Sequence, residues 1–257
     1  GCRLSGAAFR IYPHKNVSQL ESLLQRSSMY RRKLVVTDSV FSMDGDTAPL
    51  PEIVNIAKRY DAILMVDDAH ATGVFGKQGK GMIEHCGLEG KIDIVMGSLS
   101  KAVGSIGGFI AGSKPLIDFL KNKARPFIYT TALPPAVCAA SMAGLTLIQE
   151  DVSLIDTLWK NIAFLKSRLS TFMDTIAGES PIVPLIVGSA EDAVNLSTKL
   201  YQNGILIPAI RPPTVPPGTS RLRISLMATH SADDINRLID ILQYVGFLTR
   251  EHVKDVC

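Results

Sequence analysis

The feature that most constrains the fold is an alternation of short apolar runs and helical patterns between residues 34 and 112. The apolar runs KLVVTDSVF, AILMVDD, KIDIVMGS and GGFIAG are rich in β-branched and aliphatic residues, and the helical pattern LPEIVNIAKRY separates the first two. Short apolar strands joined through helices are typical of βαβ units, in which helices bury both faces of the sheet. The sequence therefore predicts an α/β fold with a mostly parallel sheet.

The remainder of the chain has two other patterns. From Pro134 to about Met173, alanine, leucine and spaced apolar residues favour helices. After Gly178 the predicted order is strand, helix, strand, strand and helix, in IVPLIVG, AEDAVNLSTKLYQNG, ILIPAI, RLRISLMA and SADDINRLIDILQYVGF. We predict a large domain over residues 1–165 and a smaller α+β domain over residues 166–257.

Composition and charge exclude several classes of function. The chain has 257 residues, of which 46% are hydrophobic and 20% charged, and its formal net charge is +3. This charge is too small and too dispersed for nucleic-acid binding, and no apolar run is long enough to span a membrane. The cysteines are widely spaced without a paired motif, which is typical of a reducing compartment such as the cytoplasm; they are Cys2, Cys86, Cys138 and Cys257.

The segment ILMVDDAH places Asp67 and Asp68 at the end of a predicted strand and His70 in the loop that follows. Functional groups in open α/β sheets gather at the carboxyl ends of strands. These residues alone leave three interpretations open. They are a metal site, an acid that caps the next loop, and a cofactor site in which Asp67 holds a protonated ring nitrogen.

The segment IVMGSLSKAVGSIGGFIAG places Lys101 just after another predicted strand, among serines and glycines. Small residues let a planar cofactor approach the backbone, serine hydroxyls can bind a phosphate, and a neutral lysine amine attacks carbonyls. A P-loop is excluded because its lysine ends the glycine run and precedes Ser or Thr, whereas Lys101 precedes its glycines. A lysine together with an acid for a ring nitrogen matches the pattern of a pyridoxal phosphate site instead.

Five segments, in the same order, resemble the α-oxoamine synthases: TDSVFSMDGDTAPL, VDDAHATGVFGKQGKG, GSLSKAVGSIGGFIAG, IYTTALPP and IRPPTVPPGTSRLRISLMATH. The resemblance extends from Gly1 to about Gly246. It implies a fold-type I pyridoxal phosphate enzyme that condenses an amino acid with an acyl thioester of CoA or of an acyl carrier protein, and releases carbon dioxide. The segments GCRLSGA and IRPPTVPPGTSRLR are most similar to members that join L-alanine to a pimeloyl thioester.

The resemblance also implies a cofactor-binding role for each residue that matches a motif. Lys101 would bind the cofactor covalently and act as acid and base at the substrate Cα, and Asp67 would pair with the pyridine nitrogen. His70 and Ser42 would contact the phenolic oxygen of the ring, although Ser42 could be only a turn residue. Ser98 would bind the phosphate. No metal ligand is predicted.

Three further residues gain roles from the same resemblance. Thr131 would reach the phosphate of the cofactor in the neighbouring subunit, which implies a homodimer with shared active sites. Arg223 would bind the carboxylate of the amino acid substrate, and Arg211 would assist it. A plainer interpretation of Arg211, that it packs over the proline-rich loop, stays open.

Several alternatives remain at this point. Other α-oxoamine synthases use glycine with an acyl-CoA or serine with a long acyl chain, and an aminotransferase would use the same cofactor. A non-catalytic partner subunit is expected to have lost Lys101. Nothing in residues 1–33 resembles the upstream segment of the family, so we expect this chain to be the C-terminal part of a longer protein. Alone, it is expected to bind the cofactor poorly and to have no activity.

Overall fold

The computed structural model describes residues 1–174 and 176–248, which leaves Cys257 outside the described residues. The chain divides into two compact units. The first contains Gly1–Ser39 and Ala48–Thr146, and the second contains Val40–Thr47 and the residues from Leu147 onward. No helix within the described ranges has both the length and the hydropathy needed to cross a membrane. The predicted domain division between residues 165 and 166 stays a prediction.

The first unit is built on a four-stranded sheet with the strand order β1-β2-β3-β4. Its strands are β1 (Leu34–Asp38), β2 (Ile63–Asp67), β3 (Ile94–Ser98) and β4 (Gly108–Gly112). A 3₁₀ turn (Arg3–Ser5) and six helices accompany the sheet: α1 (Val17–Gln25), α2 (Leu50–Arg59), α3 (Met82–His85), α4 (Lys114–Lys123), α5 (Arg125–Ile128) and α6 (Pro135–Glu150), whose last turn enters the second unit.

Strands β1, β2 and β3 pair in parallel, and β4 pairs with β3 in the opposite direction. Helix α2 connects the first two strands, and its residues Leu50 and Ile53 are buried together with Leu64 and Val66 of β2. Burial of one helix face against the sheet supplies the apolar driving force for this βαβ unit. The mostly parallel sheet predicted from the apolar runs is therefore confirmed.

Helix α2 begins and ends where local chemistry favours it. Pro51 lies in the first turn, where a missing N–H costs nothing, and Glu52 lies beside it. Lys58 and Arg59 lie in the last turn. Acidic residues at the start and basic residues at the end both oppose the helix dipole, so the charge pattern stabilises the helix in this position.

The second unit combines a three-stranded sheet, with the order β5-β7-β6, and three helices. Its elements are α7 (Ser153–Leu169), β5 (Ile182–Gly188), α8 (Ala190–Gln202), β6 (Ala209–Ile210), β7 (Ser220–Ser225) and α9 (Ala232–Tyr244). Ser189 caps α8, and Ser231 with Asp234 forms a capping box at the start of α9. Fully buried Leu185 and Leu222 belong to the core of this unit.

One predicted strand of the second unit is much shorter than the sequence indicated. The apolar run ILIPAI forms a strand only at Ala209–Ile210, which pair with Leu222 and Arg221 of β7. Pro208 interrupts the run, and proline has no N–H to donate to a neighbouring strand. Only the carbonyl of Pro208 takes part, by accepting the N–H of Arg223 at 3.3 Å.

The segment Val40–Thr47 belongs to the second unit although it follows β1 directly in sequence. Its turn has Gly45 at φ 68°, and a Cβ built on Gly45 would lie 2.1 Å from the carbonyl oxygen of Ile182. The carbonyl of Gly45 accepts the N–H of Glu179 at 2.7 Å, and the Glu179 carboxylate accepts the N–H of Thr47 at 2.9 Å. Glycine is required at this position because both the backbone conformation and the close approach exclude a side chain.

Candidate functional site

Parallel pairing brings acidic residues to one edge of the first unit's sheet. Asp38 and Asp67 are the last residues of β1 and β2 and are directly paired in register. The Asp67 side chain is half-buried, and its Oδ1 accepts the N–H of Ala69 at 3.0 Å, which forms a tight turn after the strand. Carboxyl ends of parallel strands meet at one edge, so these two carboxylates share a single region of the surface.

The electrostatics of this edge are visible at Asp38. Burial raises the pKa of the Asp38 carboxyl, and the adjacent Asp67 carboxylate raises it further. The Lys101 ammonium lowers the same pKa, so the lysine lies near the Asp38 carboxylate. The structure therefore brings Asp67 and Lys101, both predicted site residues, to the same edge of the sheet, with Asp38 as an additional carboxylate.

A third carboxylate, Asp68, follows Asp67 and is buried, with 1% of its surface exposed. Burial raises the pKa of Asp68 to about 6, while the Ser39 hydroxyl and the N–H of Met82 oppose this rise and the Asp67 charge adds to it. Asp68 follows the last residue of β2, and its carboxylate packs against Gly81 and accepts the N–H of Met82 at 3.3 Å. Asp67 and Asp68 therefore have different surroundings despite their adjacency.

Lys101 lies in a compact turn after β3, and its side chain is exposed. The carbonyl of Lys101 accepts the N–H of Gly104 at 3.0 Å, and Gly104 has φ 69°. Beside the lysine, the hydroxyls of Ser98 and Ser100 are 2.8 Å apart, and Ser98 Oγ also accepts the N–H of Ser100 at 3.2 Å. The lysine thus stands next to a pair of hydroxyls on a backbone that turns sharply at a glycine.

Helix α6 packs against this turn. Ser105 donates its hydroxyl to the carbonyl of Val137 at 3.1 Å and accepts the hydroxyl of Ser141, which is buried, at 2.8 Å. One helical turn further on, Gly144 lies so close to Val103 that a Cβ on the glycine would be 2.5 Å from the Val103 carbonyl oxygen. Small residues on one face of α6 let the lysine turn pack directly against the helix backbone.

In the second unit, two arginines on the same face of β7 reach back to the segment Val40–Thr47. Arg221, which is 5% exposed, donates to the Asp44 carboxylate at 2.5 Å and to the Met43 carbonyl at 3.2 Å. Arg223 donates its Nε to the Ser42 carbonyl at 2.5 Å, and burial lowers its pKa. The structure therefore joins two predicted site residues, Ser42 and Arg223, by a direct hydrogen bond.

Three other predicted site residues are His70, Thr131 and Arg211, and their positions and exposure are as follows. His70 is half-buried in the loop after β2, three residues beyond Asp67. Thr131 is exposed in the segment between α5 and α6, and Arg211 is exposed at the start of the proline-rich loop of the second unit. The roles predicted for these three residues stay predictions.

Sequence analysis assigned no role to Asp38, Asp68 or Arg221. Asp38 could have been found from its position, since it ends a predicted strand just as Asp67 does. Arg221 could have been found from the spacing of two in RLR, which places both arginines on one face of a strand. The burial of Asp68 had no signal in the sequence, because it depends on a glycine thirteen residues later that leaves room for the carboxylate.

The residues of the first unit fit pyridoxal phosphate. Asp67 offers a carboxylate to a protonated ring nitrogen, Lys101 offers an exposed amine, and the Ser98 and Ser100 hydroxyls can donate to a phosphate. A Cβ on Gly97, which precedes the hydroxyl pair in β3, would lie 2.3 Å from the Phe109 ring, so the strand leaves no room for a larger residue there. The combination of groups therefore supports the cofactor interpretation of this edge.

Comparison with known proteins shows the family of the chain. The family model described as aminotransferase class I and II matches residues 1–242. The 8-amino-7-oxononanoate synthase 1 of Bacillus subtilis (strain 168) is 44% identical over 244 residues, which are 95% of this chain and 62% of that protein. A putative 8-amino-7-oxononanoate synthase of Acetivibrio thermocellus is 50% identical over 236 residues, which are 91% of this chain and 61% of that protein.

A solved structure shows the same fold. Serine palmitoyltransferase from S. paucimobilis, with a bound PLP–myriocin aldimine, superposes with a TM-score of 0.86 at 35% identity, covering 91% of this chain and 59% of that one. The predicted fold-type I architecture is thereby confirmed. The chain spans about three fifths of the length of the relatives it matches, 62% and 61% for the two synthases.

We predict that Gly144→Ala destabilises the protein. Replacing glycine by alanine inside a helix usually stabilises it by about 1 kcal/mol. Here the new methyl group would meet the Val103 carbonyl at 2.5 Å, and overpacking of this kind costs about 1–3 kcal/mol. Urea denaturation followed by circular dichroism measures the change. Thr146→Ala, on an exposed residue of the same helix two positions later, is the control and is not expected to destabilise the protein; a stabilised Gly144→Ala protein would contradict the close contact.

We also predict that Asp68→Asn removes part of the pH dependence of stability. The folded protein holds the Asp68 proton up to about pH 6 and the unfolded chain releases it near 3.8, so the free energy of unfolding falls as the pH rises through this window. At neutral pH the ionised carboxylate costs up to about 3 kcal/mol, at about 1.4 kcal/mol per pKa unit.

The measurement is urea denaturation of both proteins at pH 4.5 and 7.5. The stability of Asp68→Asn relative to the wild type is expected to rise between the two values, because the asparagine has no charge to bury. An equal pH dependence in both proteins would show that Asp68 is not the group responsible.

Proposed function

This chain belongs to the aminotransferase class I and II family, and we propose that it is the lysine-bearing part of a pyridoxal phosphate-dependent α-oxoamine synthase, most like 8-amino-7-oxononanoate synthase. The proposed reaction joins L-alanine to a pimeloyl thioester of CoA or an acyl carrier protein, with loss of carbon dioxide. The observation that carries the proposal is the placement of Asp67 at the end of β2 and of Lys101 just after the adjacent parallel strand β3, with the lysine near Asp38, the register partner of Asp67.

Pyridoxal phosphate, when bound, supplies an electron sink for the bonds at the substrate Cα. Asp67 would hold the proton on the ring nitrogen, since its carboxylate stands at the strand end with one oxygen already oriented by Ala69. Lys101 would anchor the cofactor and then move a proton at the substrate Cα, because its exposed amine lies on the same sheet edge. Asp67 would therefore bind the cofactor ring, and Lys101 would both bind the cofactor and transfer the proton.

The remaining cofactor contacts would come from neutral groups. Ser98 would donate its hydroxyl to the phosphate, and its partner Ser100, 2.8 Å away, would orient that hydroxyl. His70 and Ser42 would contact the phenolic oxygen of the ring. The backbone carbonyl of Ser42 accepts the Nε–H of Arg223, so the contact with the cofactor would come from the Ser42 hydroxyl.

Arg223 would bind the carboxylate of the amino acid substrate, with Arg211 as a second donor. A guanidinium has five N–H donors, and Arg223 directs its Nε to Ser42 and its Nη1 to Ser225. The two contacts fix the plane of the group and leave other donors for a carboxylate. A carboxylate held in this way would fix the orientation of the substrate Cα, and such orientation would select which bond reacts.

We further propose a homodimer in which Thr131 reaches the cofactor phosphate of the partner subunit. The part of the first unit around Thr131 exposes several large apolar side chains, which is typical of surfaces that bind another protein. They are Phe119, Phe127, Tyr129, Leu133, Met142 and Leu145.

We predict that borohydride reduction in the presence of pyridoxal phosphate labels Lys101. The experiment uses the longest natural form of the protein that contains this chain, followed by peptide mass mapping. A phosphopyridoxyl adduct is expected on Lys101 in the wild type and is expected to be absent in Lys101→Arg. The control Lys91→Arg replaces an exposed lysine at the opposite end of the sheet and is expected to keep the label. A folded wild-type protein without the adduct would overturn the proposed cofactor site.

The substrate pair is tested with the same protein by assaying alanine, glycine and serine against acetyl, pimeloyl and palmitoyl thioesters. Alanine with the pimeloyl thioester is expected to give the highest kcat/KM, with release of carbon dioxide. Arg223→Lys is expected to raise the KM for the amino acid about tenfold or more, since hydrogen bonds to charged groups contribute about 1.5–3 kcal/mol. Preference for glycine or serine would assign the protein to another α-oxoamine synthase activity, and transamination without condensation would contradict the proposal.

A further inference from the structure

Asp68 is a buried carboxylate that the proposed chemistry does not use. Only 1% of its surface is exposed, although it lies directly between Asp67 and the loop that carries His70. Burying a carboxylate is costly unless hydrogen bonds compensate for the lost water. The hydrogen bonds and close contacts of Asp68 therefore indicate what its carboxylate does in the fold.

The side chain of Asp68 holds the far end of the loop that follows β2. Its Oδ1 accepts the N–H of Met82, the first residue of α3, at 3.3 Å. Its Oδ2 packs against Gly81, where an added Cβ would lie 1.7 Å from that oxygen, and Gly81 has φ 100°. The chain thus returns to the carboxylate at residues 81 and 82, and only glycine allows the approach.

The backbone of Asp68 holds the near end of the same loop. Its N–H donates to the Met96 carbonyl of β3 at 2.7 Å. Its carbonyl accepts the N–H groups of Ala71 at 3.0 Å and of Thr72 at 2.9 Å, and also the Thr72 hydroxyl at 3.0 Å. His70 lies within this first turn, and Asp67 is oriented by the N–H of Ala69 in the same turn.

We propose that Asp68 is a positioning residue, which fixes the orientation of Asp67 and His70 toward the cofactor by holding both ends of the loop 69–82. The inference rests on the proposed function, because it assigns Asp67 and His70 to the cofactor. The side chain of Asp68 itself contacts Gly81 and Met82, and no direct role toward the cofactor is assigned to it. Loss of its side chain removes the acceptor of the Met82 N–H and leaves a void beside Gly81, so the loop loses a contact that keeps it in one conformation.

The loop has other supports, and these remain when Asp68 is replaced. The N–H of Gly81 donates to the Phe75 carbonyl at 3.0 Å, and the N–H of Gly73 donates to the Gly79 carbonyl at 2.8 Å. The Glu84 carboxylate accepts the N–H of Lys80 at 3.0 Å. Replacement of Asp68 is therefore expected to loosen the orientation of the turn without unfolding the unit.

The test uses the longest natural form of the protein and three variants, Asp68→Ala, Asp68→Asn and Asp93→Ala. Asn keeps an acceptor oxygen for Met82, whereas Ala removes it. Asp93→Ala is a matched control at the other end of β2, where the Asp93 carboxylate accepts the N–H of Leu64 at 2.8 Å. The readouts are the Kd for pyridoxal phosphate, the pH midpoint of the visible absorption of the bound cofactor, and the urea midpoint.

Asp68→Ala is expected to weaken pyridoxal phosphate binding about tenfold. In metal sites, mutation of the residues that orient the ligands has an effect of about this size. The pH midpoint of the absorption is expected to shift as well. Asp68→Asn is expected to bind within about threefold of the wild type, since the neutral acceptor is retained. Asp93→Ala is expected to lose stability and to keep both cofactor readouts. If Asp68→Ala does not fold, Asp68→Ser, whose oxygen is one bond closer to the backbone, carries the same expectations.

Two results would overturn the inference. One is an Asp68→Ala protein that loses stability but binds and absorbs like the wild type; the other is an Asp93→Ala protein that shows the same cofactor changes. A wild-type protein that takes up no pyridoxal phosphate at Lys101 would overturn the proposed function before any variant is compared. The two failures are therefore distinguishable.

Discussion

Parallel pairing of β1, β2 and β3 is the constraint on which the candidate site depends. It places the last residues of neighbouring strands at one edge, so Asp38 and Asp67 are paired in register and the turn with Lys101 follows the third strand. A shift of one residue would send each side chain to the opposite face of the sheet. The chemistry proposed for the first unit therefore rests on backbone hydrogen bonds and on the apolar residues that bury the strands.

The sheet edge concentrates negative charge that the fold must accommodate. Asp38 and Asp67 end neighbouring strands, and Asp68 directly follows Asp67. Burial raises the pKa of Asp38 and of Asp68. Lys101 offsets part of this charge at Asp38, and the N–H of Met82 offsets part of it at Asp68. Asp67, the register partner of Asp38, is half-buried at the same edge, and its carboxylate is the one that we propose for the protonated ring nitrogen.

Small residues allow the close approaches that keep these groups in place. Gly144 lets α6 pack on the Lys101 turn, Gly81 lets the chain return to Asp68, and Gly45 lets the segment Val40–Thr47 reach Ile182. In each case a backbone or carboxylate oxygen occupies the space of the missing side chain. The glycines near Lys101 were interpreted from sequence as room for a cofactor, and Gly144 shows that close helix packing is a further reason for small residues around that turn.

The order and type of most elements could be predicted from the sequence, because hydrophobic periodicity and the residues that end helices and strands act locally. The positions of Asp67, His70 and Lys101 at or just after strand ends could be predicted for the same reason. It overestimated the strand in ILIPAI, where Pro208 interrupts the pairing. Three features depend on packing and could not be predicted from the sequence: the burial of Asp68, the hydrogen bond from Arg223 to Ser42 and the ion pair of Arg221 with Asp44. Each of these features depends on segments that are separated in sequence and come into contact only in the folded protein. No local sequence pattern encodes the distance between such segments.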